Sequence, residues 1–210
     1  MWLLAAAFAA FAPSCDCTPA HPAEHIVTSD VVFIGRVFRA LAGNVEYTVL
    51  KRFKGKPPAR LKVFDLADAC GGAKPLSGRE YLVMARRSAG LWVIGPCEGA
   101  LEIENASRYL SYLRSADLKR PSPNLVTGQI IFVGAARTSA LVRLRRGGTI
   151  HYATADDAGL FAFENIPEGE YKVETVARGF RAVKTPSIHV TRNGITRAYI
   201  TMQPERAPRQ

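Results

Sequence analysis

Four side chains near the start of the chain are of types that do chemistry: Cys15, Cys17, His21 and His25, spaced C-x-C-x3-H-x3-H. Thiolates and imidazoles in such a cluster are the ligands of zinc sites. With Cys70 and Cys97 the cysteines number four. In an exported chain an even count reads instead as two disulfides, with three possible connectivities. Two considerations favour bridges over zinc: the oxidising compartment that export implies, and the prolines of the segment. Pro19 and Pro22 are expected to keep the segment from forming a helix, so His21 and His25 would not share a face. A Cys15–Cys17 bond would close a strained ring, so both cysteines should reach outward, to Cys70 and Cys97.

Export is itself read from the first residues. Residues 1–14, MWLLAAAFAAFAPS, carry no charged side chain. The run is shorter than the roughly 20 residues that span a bilayer. Small residues at Ala12 and Ser14 suit a signal peptidase, so the expectation is a signal peptide over 1–14 cleaved before Cys15. The run lacks a basic start. Lipidation of Cys15 and a buried apolar terminal strand or helix are the alternatives. The reading is therefore of a protein that is secreted, extracellular or periplasmic, and not transmembrane once processed.

The chain has 210 residues, 48% hydrophobic and 9% aromatic, and a formal charge of +10. It is long enough for one or two domains with cores of their own. A basic exported protein is drawn to anionic polysaccharide, lipid headgroups or acidic protein faces. Nucleic acid is not expected as a partner, because the basic residues are scattered and the chain reads as exported.

The elements that would hold the cysteines are strands. Residues 30–38 are apolar with Gly35 inside, which reads as a bent strand with a bulge. Val45, Tyr47 and Val49 alternate with Glu46 and Thr48. Residues 61–64, 79–85 and 91–94 supply three more strands, and five short strands separated by Gly and Pro make a small closed barrel. Ala106, Tyr109, Leu110 and Leu113 then form one helical stripe with Asn105 as its expected N-cap.

Cys15-Asp16-Cys17-Thr18-Pro19-Ala20-His21-Pro22, followed by Asp30-Val31-Val32, by Cys70-Gly71, by Gly78 to Val83 and by Cys97, resembles the tissue inhibitors of metalloproteinases, the netrin-like module. The resemblance covers residues 15–117. It implies an OB-type barrel with pairs Cys15–Cys70 and Cys17–Cys97. Val27 stands where the family has a further cysteine. It also implies that the α-amine and carbonyl of Cys15 chelate the zinc of a target protease, the metal belonging to the partner. Asp16 would enter the specificity pocket, with Thr18, Pro19, Asp68 and Ala69 lining the cleft. An α-amine of pKa ~7.7 is partly neutral near pH 7 and can ligate metal, displacing the water the protease needs. The family has Ser or Thr where Asp16 stands. A carboxylate entering an apolar pocket carries a desolvation cost, so the implied target has a basic pocket, or the hook is only a staple on the barrel.

Residues 118–124 change composition sharply and read as a linker. Beyond them, alternating runs at 128–134, 140–145, 171–175 and 196–201 and turns at Asp156–Gly159 and Pro167–Gly169 build a second β unit. Thr154 to Phe163 and Ile166 to Val173 resemble the carboxypeptidase regulatory-like module, a transthyretin-like β-sandwich, over 125–204, with 205–210 as a tail. Such modules serve as spacers or adhesive units. Asp156 and Asp157 read as turn residues before calcium ligands, and Arg143, Arg145 and Arg146 as a solvated basic edge strand.

The chain has no phosphate loop, H-E-x-x-H or G-x-S-x-G, and its carboxylates are dispersed. The expectation is a mainly β, two-module binding protein without enzymatic activity or cofactor. It would be either a metalloprotease inhibitor acting through Cys15, or a non-inhibitory surface or envelope module that binds carbohydrate or protein.

Overall fold

The computed structural model describes residues 17–41, 43–66, 74–97, 100–116, 118, 124–134, 138–182 and 187–205. Cys15, Asp16, Asp68, Ala69 and Cys70, with the expected Cys15–Cys70 bridge, lie outside these residues, as does most of the expected linker.

The first module begins with a short helix, α1 (Pro22–Thr28), and continues through β1 (Val31–Leu41), β2 (Asn44–Lys54), β3 (Arg60–Asp65), β4 (Glu80–Ser88), β5 (Leu91–Ile94) and β6 (Ala100–Glu102) to α2 (Ser107–Ser115). Strand order is β1-β2-β3-β5-β4, and β1 also pairs with β4, so the sheet closes on itself. All pairs are antiparallel except β3 with β5. This is a five-stranded OB-type barrel, with β6 added outside β4.

Closure requires β1 to bend, and its register slips between Ile34 and Gly35. A Cβ at position 35 would lie 2.7 Å from the Phe33 ring and 3.0 Å from the Tyr47 Cβ, so the bend needs glycine. Phe33, Val45, Tyr47, Val63, Tyr81 and Val83 fill the barrel. On β4, Leu82 and Met84 point the other way, into a second cluster with Ile26 of α1 and Leu113 of α2. The unbroken apolar run of β4 thus reflects burial on both faces. Burial of each such side chain contributes about 2 kcal/mol.

Two local expectations are corrected. Pro19 and Pro22 do not prevent a helix. Pro22 takes the first helical position, where its missing N–H has no intrahelical acceptor to lose. Asn105 is not the cap of α2. It ends a 3-10 turn, and Ala106 occupies the cap position with its side chain fully buried.

The second module contains β7 (Leu125–Phe132), β8 (Ala140–Arg146), β9 (Thr149–Ala155), β10 (Leu160–Phe163), β11 (Gly169–Ala177), β12 (Phe180–Ala182), β13 (Ser187–Val190) and β14 (Ile195–Pro204). One leaf is β10-β7-β14, with β7 and β14 parallel. The other is β13-β11-β8-β9, and short β12 joins the leaves through β14 and β11. Val126, Ile130, Phe161, Phe163, Ile200 and Met202 meet Val142, Leu144, Tyr171, Val173 and Val190 in one core, so the sheet is folded over as a sandwich. Strand β8 is not an edge, as expected from its arginines, but lies between β11 and β9. Its arginines are held locally: Arg145 pairs with Glu174, Arg146 donates to the Glu168 carbonyl, and Arg143 lies over the Tyr152 ring.

Candidate functional site

The cysteine hook leads directly into the seam between the modules. Cys17 is bridged to Cys97, beyond β5, which fixes the start of the described chain against the barrel. Thr18 and Pro19 follow and are exposed, and His21 accepts a hydrogen bond at Nδ1 from the Ala23 amide (3.1 Å), capping α1. At the far end, Lys54 of β2 donates to the carbonyls of Ile26 (2.9 Å) and Val27 (2.7 Å). A cation there satisfies carbonyls that the helix leaves open.

One face of α1 meets α2. His21 packs edge-on against Tyr112, and His25 Nδ1 lies 3.0 Å from the Tyr109 hydroxyl. His21, at the cap, and His25, inside the helix, therefore both face α2, contrary to expectation, through Tyr112 and Tyr109 respectively. Among the described residues no group of three or more His, Cys, Asp or Glu is arranged to hold a metal.

The other face of α1 carries Glu24, whose side chain is 5% exposed. One carboxylate oxygen accepts from the Thr127 hydroxyl of β7 (2.9 Å), and the other from Arg197 of β14, through Nε (2.9 Å) and Nη2. Thr127 and Arg197 are register partners on the parallel β7–β14 pair, so a single carboxylate clamps both strands. Burial pushes the Glu24 carboxyl up, but the hydrogen bonds and charge of Arg197 and Thr127 outweigh it and hold it below its ordinary 4.5. Two further contacts cross the seam from α2: Arg108 to Asp156, and the Tyr112 hydroxyl to Glu164. Burial, then Glu164, pushes the Tyr112 phenol up.

Asp156 has two roles here. Its Oδ1 accepts the amides of Ala158 and Leu160, both at 2.9 Å, making the expected turn. Its Oδ2 faces Arg108. Nothing in the local sequence announces the second role, since its partner lies 48 residues away.

Beside Glu24 the seam opens into a crevice of about 330 Å³. The barrel contributes Thr18, Pro19, His25, Thr28 and Arg86, and the sandwich contributes Thr127, Arg197 and Tyr199. Of the expected hook residues, the structure brings Thr18 and Pro19 into this crevice. Sequence reading singled out neither Glu24 nor Arg197.

A second feature lies on the barrel wall. Arg36, Thr48 and Arg60 are aligned across β1, β2 and β3, and Arg39, Glu46 and Lys62 form the adjacent row. Phe38, at the bulge between them, is 54% exposed with the Arg60 guanidinium 4.3 Å above its ring. Arg36 pairs with Glu80, whereas Arg39, Arg60 and Lys62 make no ion pair among the described residues. The two rows place four cations against one carboxylate.

A closed OB-type barrel clamped to a β-sandwich defines a two-module, mainly β protein. Residues 126–203 match the carboxypeptidase regulatory-like domain family, which accounts for the second module. Among curated proteins none matches the chain. Solved structures resemble it distantly. A DUF3823 family protein from Parabacteroides merdae is 17% identical over 39% of this chain and 46% of its own, with a TM-score of 0.31. The TIE protein of Bacillus anthracis is 14% identical over 77% of this chain and 25% of its own, at 0.35. GBS52, the minor pilin of Streptococcus agalactiae, is 8% identical over 87% and 86%, at 0.34. The chain thus spans less than half the length of the first two.

Proposed function

We propose that this chain is an exported, non-catalytic binding protein of the cell-surface or envelope kind, whose barrel wall engages an anionic polysaccharide. The observation that carries this reading is the pair of cross-strand rows on β1–β3. The Arg60 guanidinium lies over the exposed Phe38 ring, and the rows around it hold four cations against the single carboxylate of Glu46. Such a wall offers charge for carboxylate or sulfate groups and a ring face for sugars, and its attraction falls with salt. The disulfide at Cys17 fits an oxidising compartment. No helix among the described residues is long and apolar enough to cross a membrane.

The test is retention on an immobilised sulfated or uronic polysaccharide. The wild type should elute only with added salt, and the Arg60→Ala/Lys62→Ala variant at clearly lower salt with an unchanged melting temperature. Equal elution of the two would overturn the assignment to this wall.

Protease inhibition through Cys15 is a second reading. One specific feature favours it: the Cys17–Cys97 bridge anchors the segment and leaves Thr18 and Pro19 exposed. Against it, Thr127, Arg197 and Tyr199 of the sandwich line the same crevice as those two residues, so the rim of a protease would compete with the second module for that space. An added alanine before Cys15 that left inhibition of a sensitive protease unchanged would dispose of this mechanism.

A further inference from the structure

We infer that the seam crevice is a binding site for a small anionic sugar, a monosaccharide-sized ligand bearing a carboxylate or sulfate, held between the two modules. The site is distinct from the barrel wall on β1–β3 and does not depend on it. Its volume of about 330 Å³ is at the small end of ligand sites, enough for one ring and not for a polymer segment.

The charges point to an anion. Two arginines line the crevice from opposite modules: Arg86 of β4 and Arg197 of β14. Glu24 accepts bonds from Arg197 Nε and Nη2 and is itself nearly buried, so these two charges offset one another and the charge of Arg86 is the lining's excess. The Arg197 side chain remains 60% exposed, leaving guanidinium N–H groups available to a ligand. Arg86 makes no ion pair among the described residues. A guanidinium fork matches carboxylate and sulfate oxygens in pairs.

The rest of the wall suits a sugar. The Tyr199 ring is half exposed, and its hydroxyl interacts electrostatically with Arg197. Pro19 offers an apolar ring surface on the barrel side. Rings and prolines of this kind pack against the C–H faces of sugars, while hydroxyls and guanidinium groups take the polar edge. Because its anchors lie on both modules, a bound ligand would also tie them together, and occupancy should raise the melting temperature.

The experiment is titration of the full chain at low salt with glucuronate, with inorganic sulfate and glucose as companion probes. Chemical shifts and melting temperature are both followed. Glucuronate should bind and raise the melting temperature, sulfate should compete with it, and glucose should bind at least tenfold more weakly. Arg86→Ala should weaken glucuronate at least fivefold, and Tyr199→Phe should weaken it measurably. Neither residue holds the seam together, so the melting temperature without ligand should not change. With the wall disabled by Arg60→Ala/Lys62→Ala, glucuronate should still raise the melting temperature, and adding Arg86→Ala to that variant should abolish the rise, which separates this site from the wall. Glucose binding as well as glucuronate, or Arg86→Ala binding as well as the wild type, would overturn the inference, as would a lack of glucuronate binding. If sulfate bound while glucuronate did not, an anion hole without a sugar site would replace it.

Discussion

Glu24 shows how one side chain can join two modules. The contact is lopsided: the carboxylate is nearly buried, whereas the arginine is mostly exposed. Removing either partner should therefore have unequal effects. Arg197→Met strands a buried carboxylate and should cost about 3 kcal/mol. Glu24→Gln keeps an acceptor for Thr127 and releases only a solvated cation, so it should cost about 1 kcal/mol. Urea unfolding of the two variants gives the order, and an equal or reversed ranking would contradict the clamp. Acid acts on the same carboxylate. Its folded pKa is depressed, so its stabilisation is present above 4.5 and is lost as pH falls through the lower folded value.

His21 covers a different window. Burial, the largest influence, drives its pKa from 6.5 to about 4, so the folded state prefers the neutral ring while the unfolded state takes up a proton. Stability contributed by His21 is therefore full above pH 6.5 and declines as pH falls toward 4. His21→Asn keeps a capping side chain and should flatten the decline between pH 6.5 and 4.5. Denaturant unfolding across that range, wild type against variant, measures the difference.

At the scale of elements, the backbone of β7 at Gly128 lies hard against β14, which runs parallel to it. A Cβ there would collide with the Ala198 carbonyl and the Phe161 ring. Gly128→Ala should destabilise the sandwich by about 3 kcal/mol, because backbone and a buried ring must move. Its melting transition should fall, and an unchanged one would show that the leaves have slack. Much of this level was legible in the chain itself. Alternation at Val45–Tyr47–Val49 placed β2, Gly35 marked the bend of β1, and the Ala106–Leu113 stripe located α2, because each rests on a local period. α1 was missed because the two prolines were weighed as breakers. Pro22 is harmless at the one position where the helix needs no N–H. The inner position of β8 was missed because its arginines looked like an edge guard, whereas each finds a carboxylate or a ring on a neighbouring strand or a carbonyl in the turn before β11. The clamp itself was not legible, since Glu24 and Arg197 are 173 residues apart and no local pattern links them.

For the whole molecule, the Cys17–Cys97 bridge closes a separation of 80 residues. In the chain-entropy account such a loop is worth about 4 kcal/mol. Cys17→Ser/Cys97→Ser should lower stability by that order in urea. It should also loosen the seam, since α1 begins five residues after the tether, and the number of amides protected from exchange along α1 would report it.

The same layout decides where the molecule gives way under tension. A pull that separates the barrel from the sandwich passes from a covalent tether into α1, and from there into the cluster of charged hydrogen bonds around Glu24. Those bonds are few, whereas each module behind them is held by a full ladder of strands. The seam should therefore part first and at low force, lengthening the molecule only slightly, and both β modules should remain folded until the load is much greater.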